Sequence, residues 1–436
     1  MQSNQQFCNS LFRTISGLTR AALAIAIVFV LTVVLAPSAQ TQTFKVLHAF
    51  TGAQDGGNPN TGLIPDRAGN LYGTAMIGGI TGSNCPSNTC GIVFRLVRQG
   101  SGWIFNPLYN FAGGNDGANP YAGVVFGPNG SLYGTTPYGG GGDDCGFGSG
   151  CGTVFNLKPS ATACKTALCY WTETVLYGFT GGSDGGLPAF GNLIFDSAGN
   201  LYGTTLRGGI YDAGTVFELM PSGSGWTETT LYSFTGGSDG GYPWAGLTLD
   251  NAGNLYGTTE LGGTFDGGTV FQLTPSGLGW TEKVLHSFTG GADGDEPYAG
   301  LIFDQSGNLY GATVDGGQGA GGTAFKLKPS SGSWTYSLVY GFQGSAFCGP
   351  TGNLIMDAAG NLYGTTECDD AYGKGSVFKL TPSGPPWTYT SLHDFTGGSD
   401  GANPVGGVIL DASGNVYGTA AAAGTNGRGV IFEITP

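Results

Sequence analysis

The sequence predicts an all-β fold, a seven-bladed β-propeller with four antiparallel strands in each blade. A heptapeptide, Gly-Asn-Leu-Tyr-Gly-Thr-Thr at residues 199–205, occurs in seven related copies that lie 53 to 69 residues apart. Periods of this length are typical of repeat architectures. No segment after residue 40 shows a sustained apolar period of about 3.6 residues, so essentially no helix is expected. The central tyrosines of the copies are Tyr72, Tyr133, Tyr202, Tyr256, Tyr310, Tyr363 and Tyr417.

The first 40 residues have the pattern of a secretory signal peptide. Arg13 and Arg20 are the only charged residues there, an apolar run covers residues 21–36, and small residues follow at 37–40. This order of basic, apolar and small residues is typical of a cleaved signal. The alternative is an uncleaved membrane anchor, although the run is shorter than the roughly 20 residues that a spanning helix needs. We therefore expect a mature propeller at residues 41–436 that is secreted, extracellular or at the cell surface, with the periplasm as an alternative location.

The composition restricts the possible partners. Without residues 1–40 the chain has 13 Lys and Arg against 29 Asp and Glu, a formal net charge of −16. Such a surface repels nucleic-acid phosphates and anionic lipids, so we expect no nucleic acid and no membrane contact beyond the N-terminal segment. Aromatic residues make up 12% of the chain, which supplies enough apolar surface for a folded core.

Each repeat has the pattern of four short strands. In the fourth copy, β-branched and aromatic runs occupy residues 246–250, 254–259, 269–274 and 280–288, and Gly, Pro, Asn or Asp residues bound each run. The first two runs are joined by Asp-x-x-Gly-Asn, in which Gly supplies a positive φ and the Asp side chain bonds the turn backbone. We therefore predict a structural role for the Asp that opens this turn in six copies. These residues are Asp66, Asp196, Asp250, Asp304, Asp357 and Asp411.

The two ends of the chain predict how the ring closes. The seventh copy stops after its third strand, at residues 430–435, and residues 43–50 match a fourth strand that has no repeat before it. This N-terminal strand is expected to complete blade seven and to remove the exposed sheet edges. Strict alternation along the strand would place three side chains on each side. The two sets are Val46, His48 and Phe50, and Lys45, Leu47 and Ala49.

One face of the propeller is the predicted binding face. It carries the variable loops between the second and third strands of each blade, and the links between blades, which read Phe-Thr-Gly-Gly-x-Asp-Gly-x-x-Pro. Binding residues concentrate on variable loops held by a rigid scaffold. The candidates are the link aspartates and the aromatic residues that follow them, and Phe190 follows a link in the same way. The predicted ligand-binding residues are Asp55, Asp116, Asp184, Asp239, Asp293, Asp400, Tyr121, Tyr242, Trp244 and Tyr298.

Eight cysteines follow residue 40, and an even number in an exported chain favours disulfides. No Cys-x-x-Cys spacing and no interleaved His indicates a zinc site. Their positions in the repeat place the members of each pair in the same or adjacent loops. The predicted pairs are Cys85 with Cys90, Cys145 with Cys151, Cys164 with Cys169, and Cys348 with Cys368.

The sequence contains no evident catalytic constellation. His48, His286 and His393 lie on outermost strands of different blades, where other blades carry Tyr, so we predict structural roles for them. There is no Gly-x-Ser-x-Gly elbow with triad partners and no His-Glu-x-x-His. A carboxylate pair for glycoside cleavage stays an alternative, because such pairs form in space; the densest acidic spots are residues 293–296 and 369–370. No cofactor is expected, and Ca²⁺ at the link aspartates is the alternative.

Three repeated motifs carry a family resemblance: Gly-Asn-Leu-Tyr-Gly-Thr-Thr, Gly-Thr-Val-Phe-x-Leu-x-Pro and Leu-Tyr-x-Phe-Thr-Gly-Gly. Across residues 43–436 the chain resembles the GloVer tandem repeat of exported bacterial proteins, whose members carry varied C-terminal anchors. The resemblance implies extracellular display but brings no established activity and no residue roles. The sequence ends at Pro436 inside the repeat without a sorting tail, so we expect free secretion or retention through an uncleaved N-terminus.

These observations favour a binding or display module over an enzyme. A carbohydrate is the most plausible ligand class, because aromatic rings stack on sugars while Asp, Asn and backbone groups bond hydroxyls. An extracellular glycan or protein is the expected partner. The alternatives are a polysaccharide hydrolase or lyase, and a structural surface protein without a small ligand.

Overall fold

The computed structural model describes residues 42–436 except 87, 143–144, 146–149, 160–169, 189 and 278, so the predicted signal peptide lies outside the described residues. Phe44–Thr435 form one compact unit. The described residues contain seven four-stranded sheets and one short 3₁₀ turn at Gly114–Asp116. This confirms the predicted all-β, seven-bladed propeller. No helix within the described ranges is long and apolar enough to cross a membrane.

The strands follow the order of the sequence, and in each of the first six blades the sheet order equals the chain order. The first strand of the chain is β1 (Thr43–Ala49). Blade 1 has β2 (Ile64–Pro65), β3 (Leu71–Ala75), β4 (Ile92–Gln99) and β5 (Gly102–Asn110); blade 2 has β6 (Val125–Phe126), β7 (Leu132–Thr136), β8 (Thr153–Lys158) and β9 (Thr172–Gly178); blade 3 has β10 (Ile194–Phe195), β11 (Leu201–Thr205), β12 (Thr215–Ser222) and β13 (Gly225–Ser233).

The remaining blades repeat this plan. Blade 4 has β14 (Thr248–Leu249), β15 (Leu255–Thr259), β16 (Thr269–Ser276) and β17 (Gly279–Ser287); blade 5 has β18 (Ile302–Phe303), β19 (Leu309–Thr313), β20 (Ala320–Ser330) and β21 (Ser333–Gln343); blade 6 has β22 (Ile355–Met356), β23 (Leu362–Thr366), β24 (Ser376–Thr381) and β25 (Thr388–Asp394); blade 7 has β26 (Ile409–Leu410), β27 (Val416–Ala420), β28 (Val430–Thr435) and, at its edge, β1.

The repeated Leu-Tyr-Gly-Thr-Thr forms the second strand of a blade and is buried along its whole length. Its glycine is required by packing: a Cβ at Gly203 would lie 2.6 Å from Cζ of Phe217 in the neighbouring strand. The tyrosine two positions after the turn donates its hydroxyl to the aspartate that opens the turn. Asp250 accepts N–H bonds from Ala252 and Asn254 and a hydroxyl bond from Tyr256.

The same set of turn bonds recurs at the other five aspartates, which confirms their predicted structural role. Burial by itself would raise the pKa of the Asp250 carboxyl, but these hydrogen bonds to the charged form hold it below its ordinary value.

Phenylalanine pairs join each blade to the next. A Phe at the end of each outermost strand, either just after it or one residue before its last, contacts the Phe in the third strand of the next blade, and the ring centroids are 4.9 to 5.5 Å apart. All these rings are buried. Such pairs contribute about 0.5–1.5 kcal/mol each beyond their burial. The pairs are Phe50 with Phe94, Phe111 with Phe155, Phe179 with Phe217, Phe234 with Phe271, Phe288 with Phe325, Phe342 with Phe378, and Phe395 with Phe432.

The N-terminal strand closes the ring as predicted, because β1 pairs with β28 at the edge of blade 7. The expected strict alternation along it is wrong. Val46 packs with Ala49 in the core between blades 6 and 7, whereas Leu47 packs with Phe50 in the core between blades 7 and 1. The outermost strands of the other six blades shift register at the corresponding place, and such a bulge turns consecutive side chains to one side.

Candidate functional site

A pocket of about 550 Å³ opens where the links between blades meet around the propeller axis. Its wall includes residues from the links of all seven blades, beginning at Asn60 in blade 1. Backbone groups of neighbouring links touch at this level: a Cβ at Gly406 would lie 2.4 Å from the carbonyl carbon of Thr61. The variable loops and the links share this face, as the sequence predicts, and the pocket is at its centre.

Four aromatic side chains form a continuous arc along the pocket wall, each from the link of a successive blade from 2 to 5. The rings of Phe190 and Trp244 are stacked with centroids 3.9 Å apart, and those of Trp244 and Tyr298 are stacked at 4.8 Å. Tyr121 meets Phe190 edge-on at 4.9 Å. We call Tyr121, Phe190, Trp244 and Tyr298 the aromatic arc.

Stacking within the arc determines what a ligand can contact. Both faces of the Trp244 indole are covered by its neighbours, at interplanar angles of 10° and 16°. The indole therefore cannot take a sugar on either face, and a ligand in the pocket meets ring edges along the middle of the arc. The edges of aromatic rings carry partial positive charge, which suits oxygen acceptors.

Blades 6, 7 and 1 have no aromatic residue at the corresponding link position. The residue after the link proline there is Thr351, Val405 or Asn60, and all three line the pocket. The pocket is thus aromatic on one side and mixed polar and aliphatic on the other. Thr351, Val405 and Asn60 were not among the predicted ligand-binding residues, because the aromatic pattern does not include them and only their position after the proline marks them.

Two asparagines brace neighbouring links and leave polar groups at the pocket. The Oδ1 of Asn192 accepts the N–H of Gly123 at 2.8 Å, and the Oδ1 of Asn353 accepts the N–H of Gly300 at 2.7 Å. Both asparagines line the pocket. Neither Nδ2 group has a partner among the described residues, so each is available to donate to a ligand.

Among the described residues of the pocket wall, Glu367 is the one ionisable side chain apart from the two arc tyrosines. It follows β23, and its backbone N–H and carbonyl bond Gly349 and Asn403. Its carboxyl group makes no hydrogen bond or ion pair with any described residue. Burial raises the pKa of this carboxyl above its ordinary value.

Glu260 occupies the same position in blade 4, but its carboxyl group is paired. Tyr298 donates to Glu260 Oε1 and approaches Glu296 Oε2, and both oxygens lie 3.2 Å from the phenol oxygen. Burial is the largest cause that raises the pKa of both glutamates. Two carboxyl groups therefore flank one phenol at the end of the aromatic arc.

The predicted link aspartates lie outside the pocket wall. Asp239 Oδ2 accepts bonds from the Thr235 N–H at 2.9 Å and the Tyr232 hydroxyl at 3.0 Å, within its own link and the preceding strand. The other five aspartates bond the backbone of their own link and a His or Tyr in the same way. These hydrogen bonds give the link aspartates a structural role. Ligand binding by them stays a prediction.

Of the four predicted aromatics, the structure brings Tyr121, Trp244 and Tyr298 together on the pocket wall. Tyr242 does not join them. It adopts a left-handed conformation with φ of 57°, and the Arg207 guanidinium lies 4.7 Å from its ring centroid.

The three histidines have the structural environment that the sequence predicts. His48, His286 and His393 bond the link aspartates at 3.0 to 3.2 Å and stack on a ring of the next blade. Burial is the largest influence on each, and it lowers the pKa of all three rings. In the part of the chain that the structure describes, no group of three or more His, Cys, Asp or Glu side chains could hold a metal ion.

Several exposed apolar side chains surround the pocket on the same face. Ile210 and Tyr211 are at the tip of the blade 3 loop, Phe265 is in the blade 4 loop and Tyr372 in the blade 6 loop, and each is more than half exposed. These loops join the second and third strands of their blades. The face therefore offers apolar contacts beyond the pocket itself.

Three of the four predicted disulfides are present: Cys85 with Cys90, Cys145 with Cys151, and Cys348 with Cys368. The fourth predicted pair, Cys164 with Cys169, lies outside the described residues. The three bridges all stabilise loops or links of the face that holds the pocket.

Solved structures of other proteins resemble the chain weakly. A candidate 6-phosphogluconolactonase from Bacteroides uniformis is 15% identical over 79% of this chain and 86% of its own, with a TM-score of 0.47. A protein of unknown function from Dyadobacter fermentans is 12% identical over 81% of this chain and 98% of its own, with a TM-score of 0.45. At these values neither similarity carries a functional argument. No curated protein matches the sequence.

The family comparison is decisive. The sequence model of the Gloeobacter/Verrucomicrobia repeat matches residues 31–171, 146–355 and 334–436. These matches extend over nearly the whole propeller, which confirms the resemblance found in the sequence. The chain belongs to the Gloeobacter/Verrucomicrobia repeat family.

Proposed function

We propose that this member of the Gloeobacter/Verrucomicrobia repeat family is an exported binding module whose axial pocket takes a carbohydrate. The observation that carries the proposal is the aromatic arc, which shares one pocket wall with the amide groups of Asn192 and Asn353. A volume of about 550 Å³ is in the usual range for small-molecule sites, roughly 300–1,000 Å³.

The chemistry of the wall suits a polyhydroxylated ligand with apolar C–H faces. The Nδ2 groups of Asn192 and Asn353 can donate to hydroxyl or ring oxygens, and the arc supplies an apolar surface against C–H groups. Binding by a sugar face is restricted to the ends of the arc, because Trp244 is covered on both sides. The exposed tips at Tyr211, Phe265 and Tyr372 would add contacts for a longer polymer.

Export is supported by the disulfides as well as by the N-terminal segment. Disulfides persist in oxidising compartments and are rare in the cytosol. The three bridges fix the links and loops of the proposed binding face. A rigid face lowers the ordering cost of binding.

A glycan array with the exported propeller tests the proposal. We expect binding to at least one neutral oligosaccharide, and Trp244→Ala should weaken it by tenfold or more because the arc loses its central ring. Tyr170→Ala is the matched control, since Tyr170 is an exposed aromatic just before β9 on the opposite face. Failure to bind any glycan, or equal losses in both variants, would contradict the proposal.

Hydrolysis of a glycan is the second candidate, and one observation favours it. Glu260 and Glu296 flank the phenol of Tyr298, which is a residue of the pocket wall, and both carboxyl groups have a raised pKa, as a general acid requires. Product analysis of bound glycans distinguishes the two functions. Turnover that Glu260→Gln abolishes would support hydrolysis, and intact glycans after long incubation would support binding alone.

A further inference from the structure

We propose that Glu367 makes the pocket select amine-bearing saccharides, of the glucosamine type, over neutral and acidic ones. The inference rests on the proposed function and names the ligand class of the same pocket. Its starting observation is a carboxyl group on the wall of an otherwise almost uncharged cavity, with no partner in the described residues.

The repeat shows what partner Glu367 lacks. Glu260 in blade 4 bonds the phenol of Tyr298, 38 residues further along the chain, at 3.2 Å. Val405 is 38 residues after Glu367 and lines the same pocket, but it has no hydroxyl group. Similarly, Asn403 occupies the position of Glu296 and bonds the backbone carbonyl of Glu367 rather than its carboxyl group.

An unpaired carboxylate at a partly buried site is costly unless a cation or a donor reaches it. The described residues that line the pocket include no Lys or Arg to supply a cation. A protonated amine on the ligand would supply both the charge and the hydrogen-bond donors, and charge-assisted bonds are about twice as strong as neutral ones. An acidic sugar would meet repulsion from Glu367 and from the negative protein surface.

The position of Glu367 in the pocket also suits selection of one ligand substituent rather than general attraction of cations. It lies in blade 6 and its backbone carbonyl accepts a bond from Asn403 in the link of blade 7, on the side of the wall that has no aromatic residue. A saccharide with its apolar face against the arc can therefore present a ring substituent towards blade 6. Discrimination would depend on one substituent, an amine against an acetamide or a hydroxyl.

The experiment measures affinity by calorimetry for three probes: the glucosamine hexamer, the N-acetylglucosamine hexamer and the galacturonate hexamer. We expect the glucosamine hexamer to bind about tenfold more tightly than its acetylated form, as one charge-assisted bond implies, and the galacturonate hexamer to bind least. Glu367→Gln should abolish the preference by weakening binding of the glucosamine hexamer about tenfold.

Two further variants keep the test specific. Asp369→Asn removes the same charge from the same loop at a residue outside the pocket wall, and should keep the preference. Val405→Tyr restores the phenol that Glu260 has, and should reduce the preference as Glu367→Gln does. Equal losses in Asp369→Asn and Glu367→Gln would overturn the inference, because general electrostatics would then explain the selectivity.

The outcomes separate the inference from the proposed function. Binding of the acetylated hexamer with no preference for the amine would overturn the role of Glu367 and leave carbohydrate binding intact. Absence of binding by all three probes and by the glycan array would overturn both.

Discussion

The hydroxyl of Thr419 in blade 7 donates to the carbonyl oxygen of Thr61 in the first link, at 2.7 Å, although the two residues are 358 positions apart. The same bond joins other neighbouring blades, for example Thr204 to Ala245 at 3.0 Å and Thr258 to Ala299 at 3.1 Å. The first and last blades therefore meet as any other pair does, and the axial pocket depends on that closure.

Deletion of residues 41–50 should open the ring. The truncated protein would lose β1 and Phe50, and would expose the edge of β28, whose residues Val430 to Ile434 are apolar at most positions and buried. An apolar open edge invites pairing with another chain. We expect aggregation, or a melting temperature far below that of the full propeller, in sedimentation and calorimetry. A monomer with unchanged melting would show that the ring closes in another way.

Stability should fall as pH rises from about 4.5 to about 8. Glu173, Glu228 and Glu282 lie on outermost strands beside link aspartates. Burial is the largest cause that raises their pKa values, to about 8, 7 and 7, and the charges of the aspartates add to it. A raised pKa in the folded state means that the folded protein binds more protons than the unfolded one above pH 4.5. The contribution of these three glutamates to the free energy of unfolding is fully present below that pH and is lost as pH rises through 7 to 8.

Thermal melts between pH 5 and pH 9 measure this dependence. We expect the melting temperature to decrease over that range, and the triple variant with Gln at these three positions to show a flatter profile. The matched control is Asp212→Asn, which removes a carboxylate that is largely exposed. An unchanged slope in the triple variant would exclude these glutamates as its source.

Asp239→Asn should destabilise the fold and leave glycan affinity unchanged. The carboxyl group is buried and accepts three bonds, from the hydroxyl and N–H of Thr235 and from Tyr232. The NH₂ group of the new Asn would face one of these donors instead of accepting from it. This should lower the free energy of unfolding by about 1–3 kcal/mol. Denaturant unfolding measures the loss, with the exposed Ser238→Ala as control. Weakened binding at full stability would instead support the original prediction that this aspartate contacts the ligand.

Mass mapping of the exported protein should find the three observed disulfides and the pair Cys164 with Cys169. Two of the observed bridges close loops of only five or six residues, and short loops remove little chain entropy from the unfolded state. Reduction should therefore lower the melting temperature slightly and leave the fold intact. Pairing of cysteines from distant blades would contradict the loop assignment.

The fold could be predicted because all seven blades share one sequence pattern. The spacing of the central tyrosines predicted the blades, and the missing fourth strand of the last repeat predicted the role of residues 43–50. The alternation along that strand failed at Val46 and Leu47, because a bulge is a backbone irregularity that the pattern of side chains does not reveal.

The candidate site was predicted in part. Tyr121, Trp244 and Tyr298 stand out in the sequence as aromatics after a link, and they do meet. Glu367 does not stand out, because its significance lies in the absence of a phenol at Val405. The link aspartates were selected for ligand binding because they are polar and repeated, but their partners within the link become visible only in three dimensions.

Hydroxyl-radical footprinting with the tightest-binding array glycan tests the location of the binding site most directly. Trp244 and Tyr298 are half-buried on the pocket wall, and their oxidation should fall when the glycan is present, whereas that of Tyr170 on the opposite face should not change. Protection at Tyr170 or at the turns between third and fourth strands, with none in the aromatic arc, would contradict the account.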